Sequence, residues 1–205
     1  MERLLRRFQS LNVDRWIAER LSRRRREPAL DRVDAAVLML LQRRTEGVGF
    51  VLTRRTQWVA THKGQICFPG GVREPGDRNL VETALRECYE EIGLEPGRIR
   101  VLGEFKDYRA VTGHGVRTVP AWTESGDFSA LSREVAYVLW VPVAFFLSAS
   151  PRVERRPSEG GWRETYHFDY RGEDVWGLTA RMIVDFLTFL GAGEEVGLEE
   201  GSGKV

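Results

Sequence analysis

Apolar residues recur along the chain at two spacings, and the changes between them mark out the elements. Leu4, Leu5, Phe8 and Leu11, then Trp16, Ile17 and Leu21, stand mostly three or four apart with polar residues between, which predicts a helical segment over residues 1–30 packed on the main domain. From Val33 the spacing tightens. Val33 to Leu41 is a nearly continuous apolar run and Gly47 to Thr53 a second; with a QRRTEG turn between them, the two predict a buried hairpin. Helical spacing returns with Val81, Ala84, Leu85, Cys88 and Ile92, where Asn79 can cap the start, Glu82 standing three residues on, and Gly93 can end the helix in the left-handed conformation. Arg98 to Tyr108, Val116 to Thr123 and Glu134 to Val143 read as strands, and Trp140 to Leu147 runs through Pro142 into a short helix. An Arg- and Pro-rich loop is expected at 151–157, a strand over Thr165 to Tyr170, and a last helix from Val175 to Gly191 with Leu178, Met182, Phe186 and Phe189 or Leu190 as its core stripe. The glycines and glutamates of residues 192–205 predict a mobile acidic tail. Pattern alone gives an α+β or α/β fold in one main domain, residues 31–191.

Composition narrows the class. A chain of 205 residues, 42% hydrophobic and 30% charged, has enough apolar surface for a sizeable core. Its net charge of +1 provides no bulk attraction to nucleic acid or membrane. The longest apolar stretch, Tyr137 to Leu147, contains Pro142 and falls well short of the ~20 residues that cross a bilayer. Cys67 and Cys88 are the only cysteines, and Cys88 lies on the buried helix stripe; this fits a reducing compartment and a cytoplasmic protein. The Arg23 to Arg26 run reads first as the cationic end of a helix, with anion binding or targeting as the alternative. Glu2, Asp14 and Glu19 argue against a transit peptide.

The chemistry concentrates on the central helix. Glu87, Glu90 and Glu91 of the RECYEE run span an arc of about 100° at the edge of its buried stripe. Like charges three and four residues apart weaken a helix unless a cation sits among them. A hard divalent ion such as Mg²⁺ is suited to that place, since it takes oxygen ligands and keeps waters that a phosphate can replace. Glu82, Arg86 and Glu90 stand four apart on another face, where Arg86 can bridge both acids. Just before the helix, Gly70 and Gly71 allow close approach of the main chain to a metal or phosphate.

These residues resemble the Nudix hydrolases, whose pattern is G-x5-E-x7-REUxEExGU with U a bulky apolar residue. Arg86, Glu87, Cys88, Glu90, Glu91, Gly93 and Leu94 match its second half in register. In the first half, counted from Gly71, the acid is Asp77, and eight residues rather than seven separate it from Arg86. The resemblance implies an α/β/α sandwich with a mixed central sheet and a catalytic loop-helix. It further implies Mg²⁺ or Mn²⁺ on Glu87, Glu90, Glu91 and the Gly71 carbonyl, and an additional late acid, Glu134 or less favourably Glu124, that completes the metal cluster or orients the attacking water as its base. Arg86 belongs to the same catalytic set.

The preceding segment, Leu52 to Gly71, resembles the coenzyme A diphosphatase branch of that family, LLTxR[SA]xxxRxxxGxxxFPGG. Leu52, Thr53, Arg55, Gly64 and Phe68 to Gly71 agree, whereas Thr56 replaces Ser or Ala and Ala60 stands where the branch has Arg. Lys63, Arg54 or Arg55 can supply the cation missing at Ala60. Arg55, His62, Lys63, Gly64 and Gly70 are the expected substrate contacts. The implied activity is cleavage of a diphosphate linkage in coenzyme A or an acyl-CoA. ADP-ribose, NADH or another nucleoside diphosphate derivative is the alternative substrate, and a non-catalytic nucleotide sensor the alternative class. Partners are thus a small-molecule nucleoside diphosphate, with no specific nucleic acid or membrane, and a homodimer is left open.

Overall fold

The computed structural model describes residues 2–24, 30–58, 63–124, 126–158 and 161–192. In chain order the elements are α1 (Glu2–Gln9), α2 (Val13–Ser22), β1 (Ala35–Arg44), β2 (Gly47–Arg55), β3 (Ile66–Cys67), β4 (Gly70–Val72) and α3 (Leu80–Ile92). They continue with β5 (Arg100–Val101), β6 (Asp107–Arg109), β7 (Gly115–Thr123), β8 (Val135–Pro142), α4 (Val143–Ser148), β9 (Arg152–Ser158), β10 (Gly161–Tyr170), β11 (Glu173–Trp176) and α5 (Gly177–Leu187).

The near-continuous apolar character of β1 reflects burial on both faces. Alternate residues serve different layers: Ala36, Leu38 and Leu40 pack with Ala84, Cys88 and Ile92 of α3. Ala35, Met39 and Leu41 pack in the larger core built from α1, α2, α4 and α5. The sheet is mixed, as a helix-flanked α/β/α arrangement implies. β1 runs parallel to β7 and antiparallel to β2, in the order β3-β2-β1-β7-β5, with β4, β6 and β8 pairing β1, β7 and β2 respectively. A separate antiparallel sheet runs β11-β10-β9.

A split in the sheet places the site. β1 and β2 pair only near their hairpin, from Leu41↔Phe50 to Arg44↔Gly47. Beyond it, β3 pairs β2 at Thr53 and Arg54, whereas β4 pairs β1 at Ala35 to Val37. The Pro69 carbonyl between them accepts from the Leu38 amide at 2.8 Å. The FPGG run thus enters the gap between the two strands and delivers the chain to α3.

Four sequence expectations change. Arg98 to Tyr108 is not one strand: Gly103, at φ +152, breaks it, and only its ends are strand, although the Leu102 and Phe105 amides still donate to β7 carbonyls. Residues 151–157 are not a loop but lie largely in β9, an edge strand, where a proline is tolerated. Val175 and Trp176 belong to β11, and the helix starts at Gly177, at φ +64. The N-terminal segment is two helices, and Leu11, in the turn between them, is 84% exposed while Leu4, Phe8, Val13, Ile17 and Leu21 are buried. In the arginine run, Arg23 pairs with Glu19 and Arg24 lies over Phe105, while Arg25 and Arg26 fall outside the described residues, as do residues 193–205.

Candidate active site

The helix ends are as the sequence expects. The Asn79 side chain accepts from the Glu82 amide at 3.0 Å, and Gly93 takes φ +72. Glu82, however, turns to Arg78 and its amide rather than to Arg86. Arg86 is engaged elsewhere. Its Nε and Nη2 each donate to the Asp77 carboxylate at 3.1 Å, and its Nη1 donates to Glu87 at 2.9 Å and Glu90 at 3.1 Å. Asp77 is buried and also accepts from the Thr83 hydroxyl and the Glu74 amide, both at 2.9 Å. Its carboxyl is held down to about 2, chiefly by the Arg86 hydrogen bonds. The shorter Asp side chain and the extra residue before Arg86 therefore still yield a two-pronged ion pair. Thr83, a buried polar residue among the helix's apolar positions, is the sequence signal for this network.

Glu91 is the least exposed acid of the helix, at 5%, and its Oε2 is buried with no hydrogen-bond partner. Burial is the main force raising its pKa to about 8; Arg55 opposes the rise, Glu87 adds to it and the Gly70 amide opposes it. Burial also raises Glu87, against the pull of Arg86. Gly71 lies against Glu87 so closely that a Cβ there would stand 2.4 Å from Oε1. Gly70 has a different reason to be glycine: a Cβ would stand 2.4 Å from the Ala36 carbonyl oxygen and 2.6 Å from Val37 Cα on β1.

Across from Glu91, Arg55 Nη1 lies 3.9 Å from its Oε1, and Arg55 Nη2 donates to Glu134 at 2.8 Å. Arg54, its neighbour on β2, points to Glu173 of β11 instead. Lys63 is exposed, and Gly64 takes φ +64 beside the Gln57 amide. His62 and Ala60 lie outside the described residues. Glu124 accepts from Trp122 Nε1 at 2.8 Å. Burial raises the Cys67 thiol to about 11 and the Cys88 thiol to about 12, so neither supplies a thiolate at neutral pH.

Among the described residues, no three His, Cys, Asp or Glu side chains converge on one point as placed. Glu87 and Glu90 are turned to Arg86. The donors nonetheless suit a hard divalent ion: all are oxygens, one is a buried carboxylate oxygen without a partner, and a glycine leaves room against a second carboxylate.

Comparison of the sequence with known proteins identifies the family. Residues 31–157 match the NUDIX domain family. A protein of Photorhabdus laumondii described as "Uncharacterized Nudix hydrolase NudL" is 34% identical over 138 residues, covering 65% of this chain and 72% of that protein. A NudL of Enterobacter sp. strain 638 is 33% identical over 168 residues, covering 79% and 85% respectively. Among solved structures, RenU, a Nudix hydrolase of M. smegmatis, superposes with a TM-score of 0.47 at 24% identity over 55% of this chain and 72% of its own. The chain belongs to the Nudix hydrolase family, enzymes that act on nucleoside diphosphate derivatives with the help of divalent metal ions.

Proposed function

We propose that the protein is a Mg²⁺- or Mn²⁺-dependent diphosphatase that cleaves coenzyme A or an acyl-CoA to 3',5'-ADP and the corresponding phosphopantetheine. The observation that carries the site is Glu91, a buried carboxylate with one oxygen unpartnered, one helical turn from Glu87 and beside the Gly70 amide of the FPGG turn. In this reading Glu87, Glu90, Glu91 and the Gly71 carbonyl hold the metal. A divalent ion there shields the diphosphate charge and activates water when bound. Arg86, fixed by Asp77, keeps Glu87 and Glu90 at the helix edge. The water oxygen attacks one phosphorus, its proton passes to the Glu134 carboxylate, and the bond from that phosphorus to the bridging oxygen breaks. The bridging oxygen leaves on the other phosphate.

The substrate assignment rests on the Leu52 to Gly71 segment. Of the three cations that could replace an arginine at position 60, Arg54 is committed to Glu173 and Arg55 to Glu134. Lys63 is exposed, and among the described residues no hydrogen bond or ion pair engages it, so it is assigned to the substrate phosphates beside Gly64 and His62. The test is turnover with coenzyme A, ADP-ribose, NADH and a nucleoside triphosphate in the presence of Mg²⁺. Release of 3',5'-ADP from coenzyme A is the expected result. Cleavage of another member of the panel without 3',5'-ADP would remove the coenzyme A assignment and leave the reaction class.

A further inference from the structure

The geometry points to Arg55 as a positioning residue that acts through Glu134 and Glu91, rather than as a contact for substrate phosphate. Three observations converge on it. The first is backbone register. β2 pairs β8 without a break from Gly49↔Pro142 to Arg54↔Tyr137, then shifts so that Arg55 faces Val135. An irregularity of this kind re-aims side chains at the end of a ladder. Here it carries the chain beside Glu134, whose carbonyl accepts from the Thr56 amide at 2.8 Å.

The second is the reach of the guanidinium. Nη2 meets Glu134 at 2.8 Å while Nη1 faces Glu91 at 3.9 Å, so one planar cation spans an exposed carboxylate and a buried one. Arg55 is itself only 19% exposed, and its Nε is buried, which leaves little of it for a ligand arriving from solvent. The third is the contrast with Glu134, 58% exposed, which this contact with Arg55 restrains. An exposed glutamate samples many rotamers, and a general base must stand within hydrogen-bond reach of its proton. Arg55 supplies that restraint and balances the charge of Glu91 at the same time.

This inference rests on the reading of Glu134 as the proton acceptor, and the experiment separates the two. kcat and KM are measured for Arg55→Ala, Arg55→Lys, Glu134→Gln and the Arg55→Ala/Glu134→Gln pair, with thermal unfolding as the control for folding. Mn²⁺ binding to the Arg55→Ala protein is followed by electron paramagnetic resonance. The expected result is a loss of ~10²-fold or more in kcat for both single alanine and glutamine variants, the range of a lost general base, with KM nearly unchanged. The double variant should fall no further than the weaker single variant, and Arg55→Lys should recover part of the loss. Mn²⁺ should bind several-fold tighter to Arg55→Ala, because the cation beside Glu91 is gone. A rise in KM at constant kcat for Arg55→Ala, or multiplicative losses in the double variant, would overturn the positioning role and return Arg55 to the substrate while leaving Glu134 as base. Full kcat in Glu134→Gln would remove the base assignment and the inference together.

Discussion

Burial of Glu91 works against folding in the metal-free protein, because Arg55 at 3.9 Å only partly offsets it. Its pKa stands near 8 in the folded protein against an ordinary value of 4.5, so between those limits the native state holds a proton that the unfolded chain has released. Stability of the metal-free protein is therefore expected to fall as pH rises from about 5 to about 8, at up to ~1.4 kcal/mol per pH unit. Chemical denaturation of metal-free protein across that range should show the slope, and Glu91→Gln should flatten it. Asp77 gives the opposite sign. With its carboxyl held near 2 by Arg86, its contribution is complete above about pH 4 and is lost as pH falls toward 2. Asp77→Asn should cost about 2–3 kcal/mol in unfolding experiments, below the ~3–5 of a fully buried pair because Arg86 keeps Glu87 and Glu90. It should also lower turnover, since the arginine that orients both glutamates loses its anchor.

At the scale of elements, the FPGG turn makes two adjacent glycines separable by experiment. An added Cβ at position 70 meets β1 backbone, which cannot yield, so Gly70→Ala should lower the melting temperature by several degrees and part β4 from β1. At position 71 it meets only the end of the Glu87 side chain, so Gly71→Ala should fold with near-normal stability yet lose activity as Glu87 is displaced. Melting curves and turnover on the same two preparations decide this. The helix after this turn is legible in the sequence because local chemistry defines it: the Asn79 cap, the Gly93 terminus and the apolar stripe all lie within its own residues. The partners of Arg86 are only half legible. The Glu90 contact follows from helical spacing, but Asp77 wins the guanidinium over Glu82 through a loop whose course no periodicity records. For the same reason the Arg55 bridge cannot be read from the sequence, since it depends on a register shift between strands some eighty residues apart. β9 reads as a loop because Arg and Pro suit a solvated edge strand as well as they suit a turn.

At the scale of the whole molecule, α1 and α2 close the larger core. Leu4, Phe8, Val13, Ile17 and Leu21 are buried in it, Arg20 donates to the Phe189 carbonyl at 2.9 Å, and Arg24 lies over Phe105. A chain beginning at residue 31 should accordingly unfold at a markedly lower denaturant concentration or fail to stay soluble, even though the family match begins there. Retained stability in that truncation would show the two helices to be an appendage. The split between β1 and β2 carries a last consequence. The hairpin leaving that split is fastened at its base by the Arg55 amide to the Gln65 carbonyl at 2.9 Å and the Gly64 amide to the Thr56 carbonyl at 3.3 Å. With both feet clamped, the course of the chain into the FPGG turn and the acid-bearing helix is set at the base of the hairpin. On the proposed assignment of the Leu52 to Gly71 segment to the substrate, a change of preference there leaves the reaction chemistry of the helix in place.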